Sequence, residues 1–69
     1  TAHAYIIELK YLKPDATEEA AAKQWDEAVE QIRGYGEGKA VRALAGKAAL
    51  HLIVVQIKGH SLYRMDEIR

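Results

Sequence analysis

Leu50, Leu52, Ile53, Val54, Val55 and Ile57 make the most apolar run of the chain, and they limit what the rest can become. A short continuous apolar run bounded by turn residues reads as a strand buried on both faces. Here the bounds are Gly46 before it and Gly59-His60-Ser61 after it. A second run, residues 4–12, is rich in Ile, Leu and Tyr and stops before Pro14, which cannot donate to a sheet ladder. A helical pattern lies between the two runs. Strand, helix and strand together form a crossover, so the two strands should be parallel and the connection right-handed.

The helical pattern is clear. Ala21, Trp25, Ala28, Val29 and Ile32 fall on one stripe, and Lys23, Asp26, Glu27, Glu30 and Arg33 cover the outer side. Asp15 with Glu18 has capping-box spacing, and Thr17 competes as the cap. Glu18 and Glu19 sit in the first turn, where the helix dipole favours negative charge. Gly34, Gly36 and Gly38 should loosen or end the helix. Residues 39–45 read as a short second helix capped by Gly46. After the Gly59 turn, "LYRMDEI" reads as an antiparallel edge strand with Leu62, Arg64, Asp66 and Ile68 on one side. The expected fold is therefore α/β: a three-stranded mixed sheet in the order β-α-α-β-β, with one long helix and one short one.

Sixty-nine residues allow one domain with a thin margin of stability. No cysteine is present to staple it, which excludes disulfides and thiolate metal sites and suits a reducing cytoplasm. Ten basic and ten acidic residues cancel, so no global positive field draws in nucleic acid, although a local basic cleft is still allowed. No apolar run approaches the ~20 residues needed to cross a bilayer. Three strands and one main helix leave a sheet face and at least one edge poorly covered. That points to a homodimer, formed by face packing or edge pairing.

Glu8 and Lys10 are the main candidates for chemistry. They lie two apart in a strand, so they project to one face, with Leu9 on the other. A carboxylate there can hold a hard divalent cation, and a neighbouring lysine can orient water or balance charge on a phosphate. The plainer reading is an ion pair on a solvated sheet face. Other features point to packing or surface roles. His3, His51 and His60 lack close metal-ligand spacing, Trp25 belongs to the apolar stripe, and the G-Y-G-E-G stretch follows a helix rather than opening one.

"YIIELKYLKPDATEEAAAKQWDEAVEQIRGYG" closely resembles the E-x-K strand and following helix of the PD-(D/E)XK nuclease superfamily. Within that superfamily it resembles a domain found C-terminal to an AAA-ATPase-like region in bacterial proteins. Besides the E-x-K, the shared pattern includes the helix ending at Ala28, Gln31, Ile32 and Tyr35. The resemblance implies a restriction-endonuclease-like core using Mg²⁺ or Mn²⁺ on nucleic acid, most readily DNA. It makes Glu8 a metal ligand, Lys10 the catalytic lysine and Gln31 a polar helix residue facing the site, with Tyr35 one turn later on the same side. The family's first acidic ligand lies on an earlier strand, but no Asp or Glu precedes Glu8 here. Asp66 and Glu67 read as surface residues of the edge strand rather than substitutes. The resemblance thus implies that residues 1–69 form the C-terminal half of the core. Phosphodiester hydrolysis would then belong to the full-length parent, and this part alone would be close to inactive. The alternative is a non-catalytic interaction or dimerisation module.

Overall fold

A computed structural model describes residues 2–69. It contains β1 (His3–Leu12), α1 (Glu18–Glu37), α2 (Lys39–Ala45), β2 (Ala49–Lys58) and β3 (Ser61–Ile68). The sheet order is β1-β2-β3. β1 and β2 are parallel, and every residue of β1 from His3 to Leu12 is in register with one from Ala49 to Lys58. β2 and β3 form an antiparallel hairpin. This is the mixed sheet with a long and a short helix that the sequence implies.

The helix begins at Thr17, whose hydroxyl accepts a hydrogen bond from the Ala20 amide at 3.1 Å. Asp15 is not the cap. Pro14 and Asp15 occupy a turn closed by the Ala16 amide donating to the Lys13 carbonyl at 3.0 Å. Gly34 and Gly36 do not end α1, which runs on to Glu37. Gly36 has a packing reason, since a Cβ there would lie 3.1 Å from both terminal methyls of Leu52. The helix breaks at Gly38, whose amide donates to the Tyr35 carbonyl. Gly46 ends α2 with φ +59, donating to the Arg42 carbonyl.

α1 covers one face of the sheet. Trp25, Ala28, Ile32 and Val54 form the core, with Ile6, Val29, Leu52 and Ile68 packed around them. β1 alternates strictly. Ala4, Ile6, Glu8, Lys10 and Leu12 are half-buried on the helix side, while Tyr5, Ile7, Leu9 and Tyr11 are exposed on the other. β2 is not buried on both faces. Val54 and Gln56 are buried beneath α1, whereas Ile53, Val55 and Ile57 on the opposite face are only half-buried. One helical layer can cover one side of a sheet.

The hairpin also departs from simple alternation. The register shifts between Gln56 and Ile57, pairing Gln56 with Arg64 but Ile57 with Leu62. Tyr63 is left over as a bulge residue. Leu62 therefore lies opposite Ile57 on the open face, not with Arg64, Asp66 and Ile68 beneath the helix. A turn at Gly59, with φ +62, closes the hairpin, and its amide donates to the Leu12 carbonyl at 3.0 Å.

Candidate active site

β1 holds Glu8 and Lys10 on the side facing α1, not on the open face. Their side chains are 20% and 27% exposed, and Lys10 Nζ lies 3.4 Å from Glu8 Oε1. The pair is in register with Val54 and Gln56 of β2. Both of those residues are fully buried, so the charges border the core rather than bulk solvent. An ion pair on a freely solvated face does not describe this setting.

Two glutamines tie the Lys10 row to α1. Gln56 Nε2 donates to the Ala21 carbonyl and to Gln24 Oε1, both at 2.9 Å. Gln24 Nε2 donates in turn to the Tyr11 carbonyl of β1 at 3.0 Å. These amides fix the distance between α1 and β1 beside Lys10. Neither was conspicuous in the sequence, although Gln56 is the one polar residue between Val54 and Ile57 of the apolar run. A polar residue in such a run was the available signal, because buried polar groups persist only where they are bonded.

Gln31 follows Gln24 by seven residues, which places it on the same side of α1, the side that bonds β1 at Tyr11. It is exposed, and so is Tyr35 at 53%. The described side-chain bonds join neither to Glu8 or Lys10. Asp66 is exposed, whereas Glu67 is half-buried and occupied elsewhere. Its Oε2 lies 3.2 Å from His51 Nδ1, and His51 Nε2 lies 2.8 Å from His3 Nδ1. With Glu67 accepting from His51 Nδ1–H, His51 Nε2 is left to accept from His3. The Tyr5 ring stacks on His51 at 4.9 Å. The topology thus unites two histidines far apart in sequence, on the open face, away from Glu8 and Lys10.

Trp25 is a core residue, as its stripe implies, but it also carries the Arg64 guanidinium 4.0 Å over its ring. Beside the far end of α1, Arg33, Arg42 and Arg69 line an open cavity of about 410 Å³ together with Glu37, Leu52 and Ile68. Leu52 is in register with Ile6, so this basic cavity opens on the helix-covered side, one row from Val54 and Glu8. The balanced net charge conceals it.

No group of three or more His, Asp or Glu among the described residues can close on one metal ion. Glu8 supplies one carboxylate, and the described residues do not complete a divalent-cation site by themselves. No helix among them is long and apolar enough to cross a membrane.

Comparison with curated proteins and with solved structures gave no match. The sequence model of the PD-(D/E)XK nuclease superfamily matches residues 1–67, from before the E-x-K strand to the last residues of β3. Members of that superfamily generally use divalent metals on nucleic acid. With the E-x-K pair on the helix-covered strand of a parallel crossover, and that match over nearly its whole length, the chain belongs to the PD-(D/E)XK nuclease superfamily.

Proposed function

We propose that residues 1–69 carry half of a metal-dependent phosphodiesterase site, completed by a carboxylate from outside this segment. The observation behind this is the Glu8–Lys10 pair, held 3.4 Å apart at the edge of the core in a chain of nuclease ancestry. Glu8 contributes one ligand to Mg²⁺ or Mn²⁺, and the ion supplies charge neutralisation at the scissile phosphate. Lys10 places its ammonium on the attacking water or a phosphate oxygen. Gln31 and Tyr35 extend the helix side of the site. Arg33, Arg42 and Arg69 offer phosphate contacts, which favours nucleic acid, DNA first, as the substrate. A chain without cysteine suits a reducing cytoplasm.

The test is Mg²⁺- or Mn²⁺-dependent DNA cleavage by the full-length protein, compared with Glu8→Ala and Lys10→Ala. Loss of cleavage in both supports the reading, and equal activity in all three ends it. The 69 residues alone should cleave little, because one carboxylate holds the ion weakly.

A second reading concerns assembly. Tyr5, Ile7, Leu9, Tyr11, Leu62 and Met65 share the open face at 44–65% exposure. Large apolar side chains bare together on one sheet face are the mark of a surface that another chain covers. A second copy packed face to face would cover this surface and form a homodimer. Light scattering at micromolar concentration checks it, and a monomer there rules it out.

A further inference from the structure

Among the described residues, Gln56 Oε1 is a buried side-chain oxygen with no hydrogen-bond partner, on a residue with no exposed surface. Turning the amide over does not remedy this. Gln56 Nε2 faces two acceptors, the Ala21 carbonyl and Gln24 Oε1, and Gln24 is itself oriented by donating to the Tyr11 carbonyl. A flipped Gln56 would set oxygen against oxygen twice. An acceptor left unpaired in the interior is destabilising, so a persistent one calls for an explanation.

Two cations flank Gln56 in the sheet register on the helix-covered face: Lys10 on β1, and Arg64 on β3, whose guanidinium is engaged over the Trp25 ring at 4.0 Å. Lys10 carries three donors on a flexible stem, and the Glu8 contact engages it at 3.4 Å. We infer that Gln56 Oε1 is a second acceptor for Lys10 Nζ, to which the lysine passes when the oxygens of Glu8 are taken by another partner. This rests on reading Glu8 and Lys10 as a working pair. A lysine beside a carboxylate that has turned to a cation loses its counter-charge, and it needs an acceptor in the same row to stay in place. Gln56 is thus a positioning residue acting through Lys10, and its bond to the Ala21 carbonyl of α1 holds the acceptor still.

The experiment needs no cleavage assay. Glu8→Leu removes the carboxylate charge together with both acceptor oxygens and so imitates their withdrawal. Solvent exchange of the Lys10 ammonium protons is measured by ¹⁵N NMR in the wild type, Glu8→Leu, Gln56→Met and the double variant. Gln56→Met alone should leave Lys10 as in the wild type. In Glu8→Leu the ammonium should stay protected, and adding Gln56→Met should speed exchange tenfold or more. Equal exchange in Glu8→Leu and the double variant overturns the proposal. Gln24→Ala breaks the same amide chain but keeps Oε1 and the Gln56 bond to Ala21, so in the Glu8→Leu background it should leave Lys10 protected. The same loss as with Gln56→Met would mark a merely structural effect and also overturn the proposal. Should Gln56→Met unfold, a crystal structure of Glu8→Leu decides. Nζ within 3.5 Å of Oε1 supports the switch, and a longer separation refutes it. Absence of nuclease activity in the parent would touch the proposed function and leave this result standing.

Discussion

Glu8 and Asp66 stand in one cross-strand row, on either side of Val54, and share the helix-covered face of the sheet. The row looks like a pair of carboxylates, but it is not a metal site. Strands two apart are separated by roughly 9.5 Å, whereas two oxygens on one Mg²⁺ lie within about 4 Å of each other. Val54, fully buried under α1, fills the space between them. Asp66→Asn should therefore leave metal-dependent cleavage by the full-length protein within about twofold, and Glu8→Gln should lower it about 100-fold or more. Initial rates at saturating and limiting Mn²⁺ check both.

The arginine-lined cavity makes a separate forecast. Arg33→Ala and Arg42→Ala should each weaken DNA binding similarly for all sequences. Each should also reduce the slope of log affinity against log salt by about 1, the signature of one lost phosphate contact. Arg64→Ala, whose guanidinium lies on Trp25, should leave that slope unchanged. Fluorescence anisotropy over a salt series separates the two kinds of arginine.

Gly34 lies inside α1, and beyond its chain neighbours and the helix's own backbone no atom of the described residues is within 4 Å of where a Cβ would stand. Gly34→Ala should stabilise the fold by about 0.5–1 kcal/mol, since a helix-interior glycine costs that much relative to alanine. Thermal melts should show a midpoint raised by a few degrees, at roughly 4–8 °C per kcal/mol for a domain of this size. At Gly36 the added methyl meets Leu52 at 3.1 Å, so the gain should be smaller or absent.

Thr17 and Asp15 distinguish the two caps the sequence allowed. Only Thr17 accepts the Ala20 amide, so Thr17→Ala should cost about 1 kcal/mol. Asp15→Ala should cost less than about 0.5 kcal/mol, as an ordinary surface change. Urea unfolding of both variants measures the difference.

The order of the elements was legible because each has local causes: the stripe through Trp25 and Ile32, the stop at Pro14, the turn at Gly59. That Glu8 and Lys10 share a face was equally legible, since a strand has period two. Which face they share was not, because period two distinguishes the sides without naming the covered one. Gln56 sat unnoticed within an apolar run, and its role depends on Ala21 and Gln24, some thirty residues earlier. The meeting of His3 with His51, and the bulge at Tyr63 that sends Leu62 to the open face, depend on sheet register, and no local pattern sets that. Gly36 reads as a helix breaker until the closeness of Leu52 is known.

The parallel pairing of β1 with β2 also has a consequence in time. Each of its residue pairs, from His3 with Ala49 to Leu12 with Lys58, spans 46 positions of chain. The β2–β3 hairpin and α1 close over far shorter loops and can form early. β1 is therefore expected to dock last, and Glu8 and Lys10 reach their place only with the final strand. Mutations that weaken β1 should mainly speed unfolding and leave the folding rate almost unchanged. The candidate catalytic strand is thus the part of the molecule whose assembly most depends on everything else having folded first.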